Sequence, residues 1–327
     1  MMKQIYYLFL IILLTGCSDN TDDYDFEYDI IITNQATNLE DLNTQYDDFN
    51  SDLPYEYDAM DIFFSSNRNS QGNNFDIVAK GLSFSYHEKD NVLNLAISNQ
   101  LHFVEETSLL FEKLNTENNE LGPFAHYYNS DLLFLYASDS NGIFKIKLFE
   151  YIGWNNSHYE SIILGPTDIP IINDVGNNLY PSYNHGDSKL FFCSDRNDSV
   201  FNIFSAIYNN EISKTTLLNG DIMSLQKDAV FSSTDDDKCP FVNEDMMVFT
   251  SNRKGGIGGF DLYYSFLKNG SWTSPQVFGN NINTEYDEYR PIIFKTLGYN
   301  LMIFSSNRPG GLGGYDLYIV NINEIIK

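Results

Sequence analysis

The chain has 327 residues, 43% hydrophobic and 15% aromatic, enough apolar mass for one large packed domain or two small ones. Basic residues number 19 against 45 acidic ones, a net charge of −26. A field of that sign repels polyanions, which excludes nucleic acid as a partner and makes an anionic membrane surface an equally poor one for the folded body.

Residues 1–16 stand apart from the rest. Lys3 precedes the apolar run IYYLFLIILL (5–14), which has signal-peptide length and is too short to span a bilayer. LTGC (14–17) follows, and this junction resembles a bacterial lipobox. The resemblance implies cleavage before Cys17 and acylation of its thiol and of the new N-terminus, and more than one acyl chain gives stable anchoring. The mature chain then carries 18 basic and 45 acidic residues, a net −27. SDNTDDYDFE (18–27) has five acids in ten residues and little to bury, so residues 17–27 read as a lipidated, solvated tether. Its acidity resembles the surface-export signal of some Gram-negative lipoproteins, and Ser18 stands where enteric bacteria use Asp to retain lipoproteins in the inner membrane. The expected location is the outer membrane, on its periplasmic face or the cell surface.

From residue 28 onward one pattern recurs. FSSNRNSQGNNFDIVAK (64–80), FTSNRKGGIGGFDLYYS (249–265) and FSSNRPGGLGGYDLYIV (304–320) are close copies. LYASDSNGIFKIKLF (135–149) and FCSDRNDSVFNIFSA (192–206) are degenerate ones. Their shared serines, Ser66, Ser138, Ser194, Ser251 and Ser306, are spaced 72, 56, 57 and 55 residues apart. Aromatic and β-branched runs flank each turn, as in a hairpin. A phosphate-binding loop needs its glycines between a strand and a helix; here they lie between two strands, so they form a turn. A second element precedes each hairpin: INTEYDEYRP (282–291) is echoed by LNTQYDDF (42–49), and Pro123, Pro181 and Pro240 take the place of Pro291.

Units of this length and composition suit four-stranded blades, and the predicted fold is all-β: a single propeller over residues 28–327 with five four-stranded blades, six being the alternative. YDIIITNQATN (28–38) precedes Leu42 as SPQVFG (274–279) precedes Ile282, which predicts that an N-terminal strand completes the last blade and closes the ring. The long first step implies about 16 extra residues, placed within 82–120.

The SSNR-GG-GG-[FY]DLY pattern resembles the WD40-like propeller repeat of TolB-type bacterial proteins, strongly in units 1, 4 and 5 and weakly in units 2 and 3. The resemblance spans roughly residues 40–320 and implies an envelope propeller without the N-terminal domain of TolB or an OmpA-like module.

Two constellations emerge from comparing units. Arg68, Arg253 and Arg308 are each followed eight residues later by Asp76, Asp261 and Asp316, and unit 2 lacks both partners, as expected of a structural clasp. Ahead of each first strand stand Asp47, Asn119, Asn177, Asp236 and Asp287, either capping turns or gathering a structural divalent cation at the channel mouth. Asp47, Asp236 and Asp287, with Arg68, Arg253 and Arg308, are the candidate binding residues on this face.

Contiguous catalytic signatures are absent. There is no G-x-S-x-G elbow, and His87, His102, His126, His158 and His185 show no metal-binding spacing. Cys193 and Cys239 read as isolated buried thiols, and DSV (198–200) matches an O-glycosylation acceptor by three residues only. The resulting expectation is a lipid-anchored, monomeric, non-catalytic module that binds an envelope protein or surface glycan without a cofactor. Its alternative is a glycan-active hydrolase using channel carboxylates: a carboxylate pair facing a deep, aromatic-lined channel would favour the hydrolase, and a shallow channel plugged by side chains would favour the binder.

Overall fold

A computed structural model describes residues 30–326, except 55–58, 129–130, 154–159 and 198. The leader (1–16), Cys17, the tether (17–27) and His158 lie outside the described residues.

Five sheets follow one another, each antiparallel and each beginning with its innermost strand. Blade 1 comprises Asp48–Asp52, Ala59–Ser66, Asp76–His87 and Val92–Ser98, with Ile30–Ile32 added outside. Blade 2 comprises Glu120–Tyr128, Asp131–Ser138, Lys145–Ile152 and Ile162–Asp168. Blade 3 comprises Asn178–Ser182, Lys189–Ser194, Asn202–Tyr208 and Ile222–Lys227. Blade 4 comprises Asp237–Asn243, Met246–Ser251 and Asp261–Lys268, its outer place shared by Ser271–Trp272 and Gln276–Val277. Blade 5 comprises Glu288–Thr296, Tyr299–Ser306 and Asp316–Asn321. The N-terminal Thr37–Asn38 supplies its outer strand by pairing with Ile319 and Tyr318. The predicted five-bladed ring closed from the N-terminus is therefore the observed fold. Because Ile30–Ile32 pairs instead with blade 1, the same stretch bridges both sides of the closure.

The middle strands are sandwiched between neighbouring blades, so they read as unbroken apolar runs rather than alternating ones. Met302, Ile303 and Phe304 are fully buried in succession, as are Phe134 and Leu135. The extra length in the first unit falls within 82–120 and is mostly helix α1 (Val104–Leu114). Leu110 and Leu114, four residues apart on one helical face, pack into a cluster with Phe63 and Phe134, filling the wedge between blades 1 and 2. Asp61, fully buried, accepts the N–H groups of His102 and Phe103 at 2.9 Å and fixes the entry to this helix.

Every innermost strand carries a bulge at one position: Asn50, Gly122, Tyr180, Cys239 and Arg290 all have positive φ, between 46° and 59°. A bulge re-aims its side chain, and those of Asn50, Tyr180 and Arg290 meet one another between the blades. Gly122 is glycine for want of room, because a Cβ there would lie 2.3 Å from the Tyr180 ring. Tyr180 accepts a hydrogen bond from Asn50 Nδ2 at 3.2 Å, and the Arg290 guanidinium lies 5.3 Å over the Tyr180 ring. Arg290 also donates to the Pro123 carbonyl at 3.0 Å. These side chains close the channel at its middle.

Candidate functional site

The two faces of the ring differ in chemistry. On the face where the innermost strands begin, the side chains singled out in the sequence hold blades together. Asp47 accepts the Tyr315 N–H at 2.9 Å, Asn119 that of Phe75 at 3.0 Å, Asn177 that of Phe144 at 2.9 Å, Asp236 that of Phe201 at 2.9 Å and Asp287 that of Phe260 at 2.8 Å. Each such bond ties one blade to its predecessor. Among the described residues, no group of three or more His, Cys, Asp or Glu side chains is placed to hold a metal ion.

The arginines pair differently from the expected i, i+8 clasp. Arg68 meets Asp48, Arg253 meets Asp237, both at 2.5 Å, and Arg308 meets Glu288 at 3.0 Å, each acid being the first residue of an innermost strand. Each guanidinium also donates to the loop ahead of that strand, at Leu42, Phe231 and Ile282. The acids eight residues on have another task. Asp316 accepts the N–H groups of Leu312 and Gly313, and Asp261 those of Ile257 and Gly258. Asp76 accepts from Asn69 at 3.0 Å. The physical reason is the turn itself: Gly311 packs so tightly that a Cβ would sit 1.6 Å from the Asp316 carboxylate, leaving no room for a guanidinium there.

The opposite face, where the innermost strands end, opens into a cavity of about 550 Å³. Phe124, Tyr183, Phe241 and Phe294 give it aromatic walls, while the first-to-second-strand turns bring Asp187, Glu244 and Asp245 to its rim. Deeper lies Asp52, 1% exposed, which accepts the Ala125 N–H at 2.7 Å. Burial pushes the Asp52 carboxyl up to about 7, against the opposing pull of the Arg290 charge and of the Ala125 and Leu53 N–H groups. His126 faces His185 with ring centroids 5.1 Å apart. Burial, and secondarily the neighbouring imidazole, lowers His126 to about 4, so it is a neutral donor and acceptor at physiological pH. The cavity combines aromatic walls with convergent polar groups, and a concavity of this size suits a small-molecule ligand.

Asp52 and the two histidines escape a motif search because the site is assembled from different blades. His126, on the innermost strand of blade 2, and His185, exposed on the loop after the innermost strand of blade 3, meet at the cavity. A signal existed for Asp52 nevertheless. Its counterparts four residues into the other innermost strands are Phe124, Ser182, Phe241 and Ile292, none of them acidic.

The chemistry available is that of a carboxyl half-protonated near neutrality on the wall of a cavity whose rim bears exposed carboxylates. That is the division of labour used to cleave a glycosidic bond, where one group donates a proton and another is ionised.

No family model and no curated protein matches the sequence. Solved structures do match in shape. A glycoside hydrolase aligns with TM-score 0.54 and 9% identity, over 89% of this chain and 92% of its own. The endo-arabinase of Bacteroides thetaiotaomicron aligns with TM-score 0.52 and 13% identity, over 88% and 97%. An exo-1,5-alpha-L-arabinanase from a bovine ruminal metagenomic library aligns with TM-score 0.51 and 8% identity, over 86% and 95%. At such identities the likeness establishes the fold. The expectation of a non-catalytic binding module and of a protein that is no enzyme is corrected here: the structures aligned above over nearly the whole of this five-bladed body are a glycoside hydrolase, an endo-arabinase and an exo-arabinanase, which favours the glycan-active alternative.

Proposed function

We propose that this chain is a glycan-active hydrolase whose active site is the cavity at the far end of the channel. The observation that carries the reading is Asp52, a buried carboxyl on the cavity wall that titrates near 7. In this role Asp52 donates its proton to the glycosidic oxygen as the bond to the anomeric carbon breaks. A rim carboxylate, from Asp187, Glu244 or Asp245, either attacks that carbon directly or takes a proton from the water that does. The neutral His126 imidazole and the aromatic walls position sugar hydroxyls and apolar sugar faces. Arg290, fully buried behind the site, is too deep to meet substrate and instead sets the field around Asp52.

The reading extends to the cellular setting. The lipobox-like LTGC and the acidic stretch after Cys17 support a lipid-anchored enzyme of the outer membrane, reaching the bilayer through its acyl chains alone and acting as a monomer on envelope or surface glycan. The repeat resemblance supports kinship with TolB-type propellers. The test is incubation with 1,5-linked arabinan and with xylan, followed by chromatography of released sugars for the parent chain and Asp52→Asn.

A further inference from the structure

A second cavity, of about 320 Å³, opens between blades 2 and 3 beside the first. The two share a wall made of His126 and Tyr183. Tyr183 is 3% exposed, and its hydroxyl has no hydrogen-bond partner among the described residues. A buried hydroxyl without a partner is unfavourable, and Tyr183 lines both cavities, so a polar group held at their junction is placed to satisfy it. Burial is also the first cause raising this phenol well above its usual range, with the charges of Glu211 and Asp52 adding to it, so it remains a donor at any physiological pH.

We infer that the active site is two-lobed and holds an uncharged oligosaccharide across both cavities, with the Tyr183 hydroxyl as the hydrogen-bonding group at the junction; this rests on the hydrolase reading above. The charge of the second lobe defines the occupant. Its one lysine among the described residues, Lys214, is already paired with Glu150, and Glu211 adds a further negative charge. Sugars bearing carboxylate or sulfate groups are repelled there, whereas neutral hydroxyls find donors and acceptors. A single sugar fills only the first lobe. The second lobe therefore sets a preference for chains of two or more units.

The test uses the full chain carrying Asp52→Asn, to prevent turnover, and NMR titration with 1,5-linked arabinooligosaccharides and 1,4-linked xylooligosaccharides of one to four units. Two further substitutions are added separately. Tyr183→Phe removes only the unpartnered hydroxyl, and Asn210→Trp fills the second lobe from an exposed position. Affinity for one of the two series is expected to rise about tenfold or more beyond one unit. Each substitution is expected to reduce that gain about five- to tenfold, and Asn210→Trp, which touches the second lobe alone, is expected to leave single-sugar binding unchanged. Longer chains that bind no tighter than single sugars, or a gain that survives both substitutions, would overturn the two-lobed site. Absence of binding by either series would overturn it as well. Hydrolysis by the parent chain without any length preference would retain the enzyme and reject the second lobe. Length-dependent binding without hydrolysis would do the reverse.

Discussion

Asn177 donates through Nδ2 to the Asp195 carboxylate at 2.7 Å, and the same contact runs in the opposite direction elsewhere in the ring. Asn119 likewise donates to Asp139 at 2.8 Å, but in blades 1 and 5 it is the hairpin residue, Asn67 or Asn307, that donates to Asp47 or Asp287. Every blade has one Asp and one Asn at this pair of positions, including Asp236 and Asn252 in blade 4. One amide and one carboxylate satisfy each other, whereas two carboxylates would repel. Asn177→Asp should therefore lower stability by about 1–3 kcal/mol, and adding Asp195→Asn should recover at least half of that loss. Denaturant titration of the two single variants and the double variant checks this, and strictly additive losses would count against it.

The arginine clasp leads to a sharper expectation. Asp237 is fully buried, and Arg253 is the cation beside it. Arg253→Met strands that charge and should cost about 3–5 kcal/mol. Arg253→Met combined with Asp237→Asn removes both charges and should be the milder change, since the Ser233 N–H that Asp237 accepts still finds an amide oxygen. Thermal unfolding ranks the two variants.

The thiols offer a chemical test of the channel plug. Cys193 and Cys239 are free and buried, and burial pushes Cys193 up to about 12 and raises Cys239 well above the usual thiol range. Thiolate is the reactive form, so neither should react with a thiol reagent at pH 8 until the chain unfolds. Modification of the native protein within minutes would show the core of the ring to be open.

The architecture was legible because propeller blades repeat. Five serines at near-regular intervals placed the blades, and the likeness of residues 28–38 to 274–279 predicted the closing strand. The site was not legible for the same reason. Comparing units draws attention to what they share, and what they share here, from Asp47 to Arg308, is the machinery of blade attachment. Asp52 and Arg290 stand where no other unit has an acid or a cation. The arginine partners were misassigned because spacing along one hairpin said nothing of Asp48, Asp237 and Glu288, which reach the same arginines from the neighbouring strand. The alternation of Asp and Asn across each hairpin was present in the sequence throughout, and it becomes meaningful only when the two positions are known to touch.

Asp52 also links stability to pH. Its proton is held more tightly in the folded chain, near 7, than in the unfolded one, near the ordinary carboxylate value of about 3.9. The stability that this proton carries is full below about pH 4 and is lost as pH rises to about 7. Asp52→Asn cannot ionise, so its advantage over the parent should be near zero at pH 4. It should grow to at most about 4 kcal/mol at pH 8. Parallel unfolding curves at the two pH values check the slope, and an advantage independent of pH would contradict the raised titration.

The most direct measurement is the rate of sugar release from arabinan and xylan as a function of pH, for the parent chain and for Asp52→Asn. With Asp52 as proton donor, the parent cleaves one of these glycans and its rate declines as pH rises through about 7, while the variant loses about 10²-fold or more. No cleavage by the parent, or a variant that keeps the full rate and the same pH profile, would contradict the assignment of the cavity as a hydrolase active site.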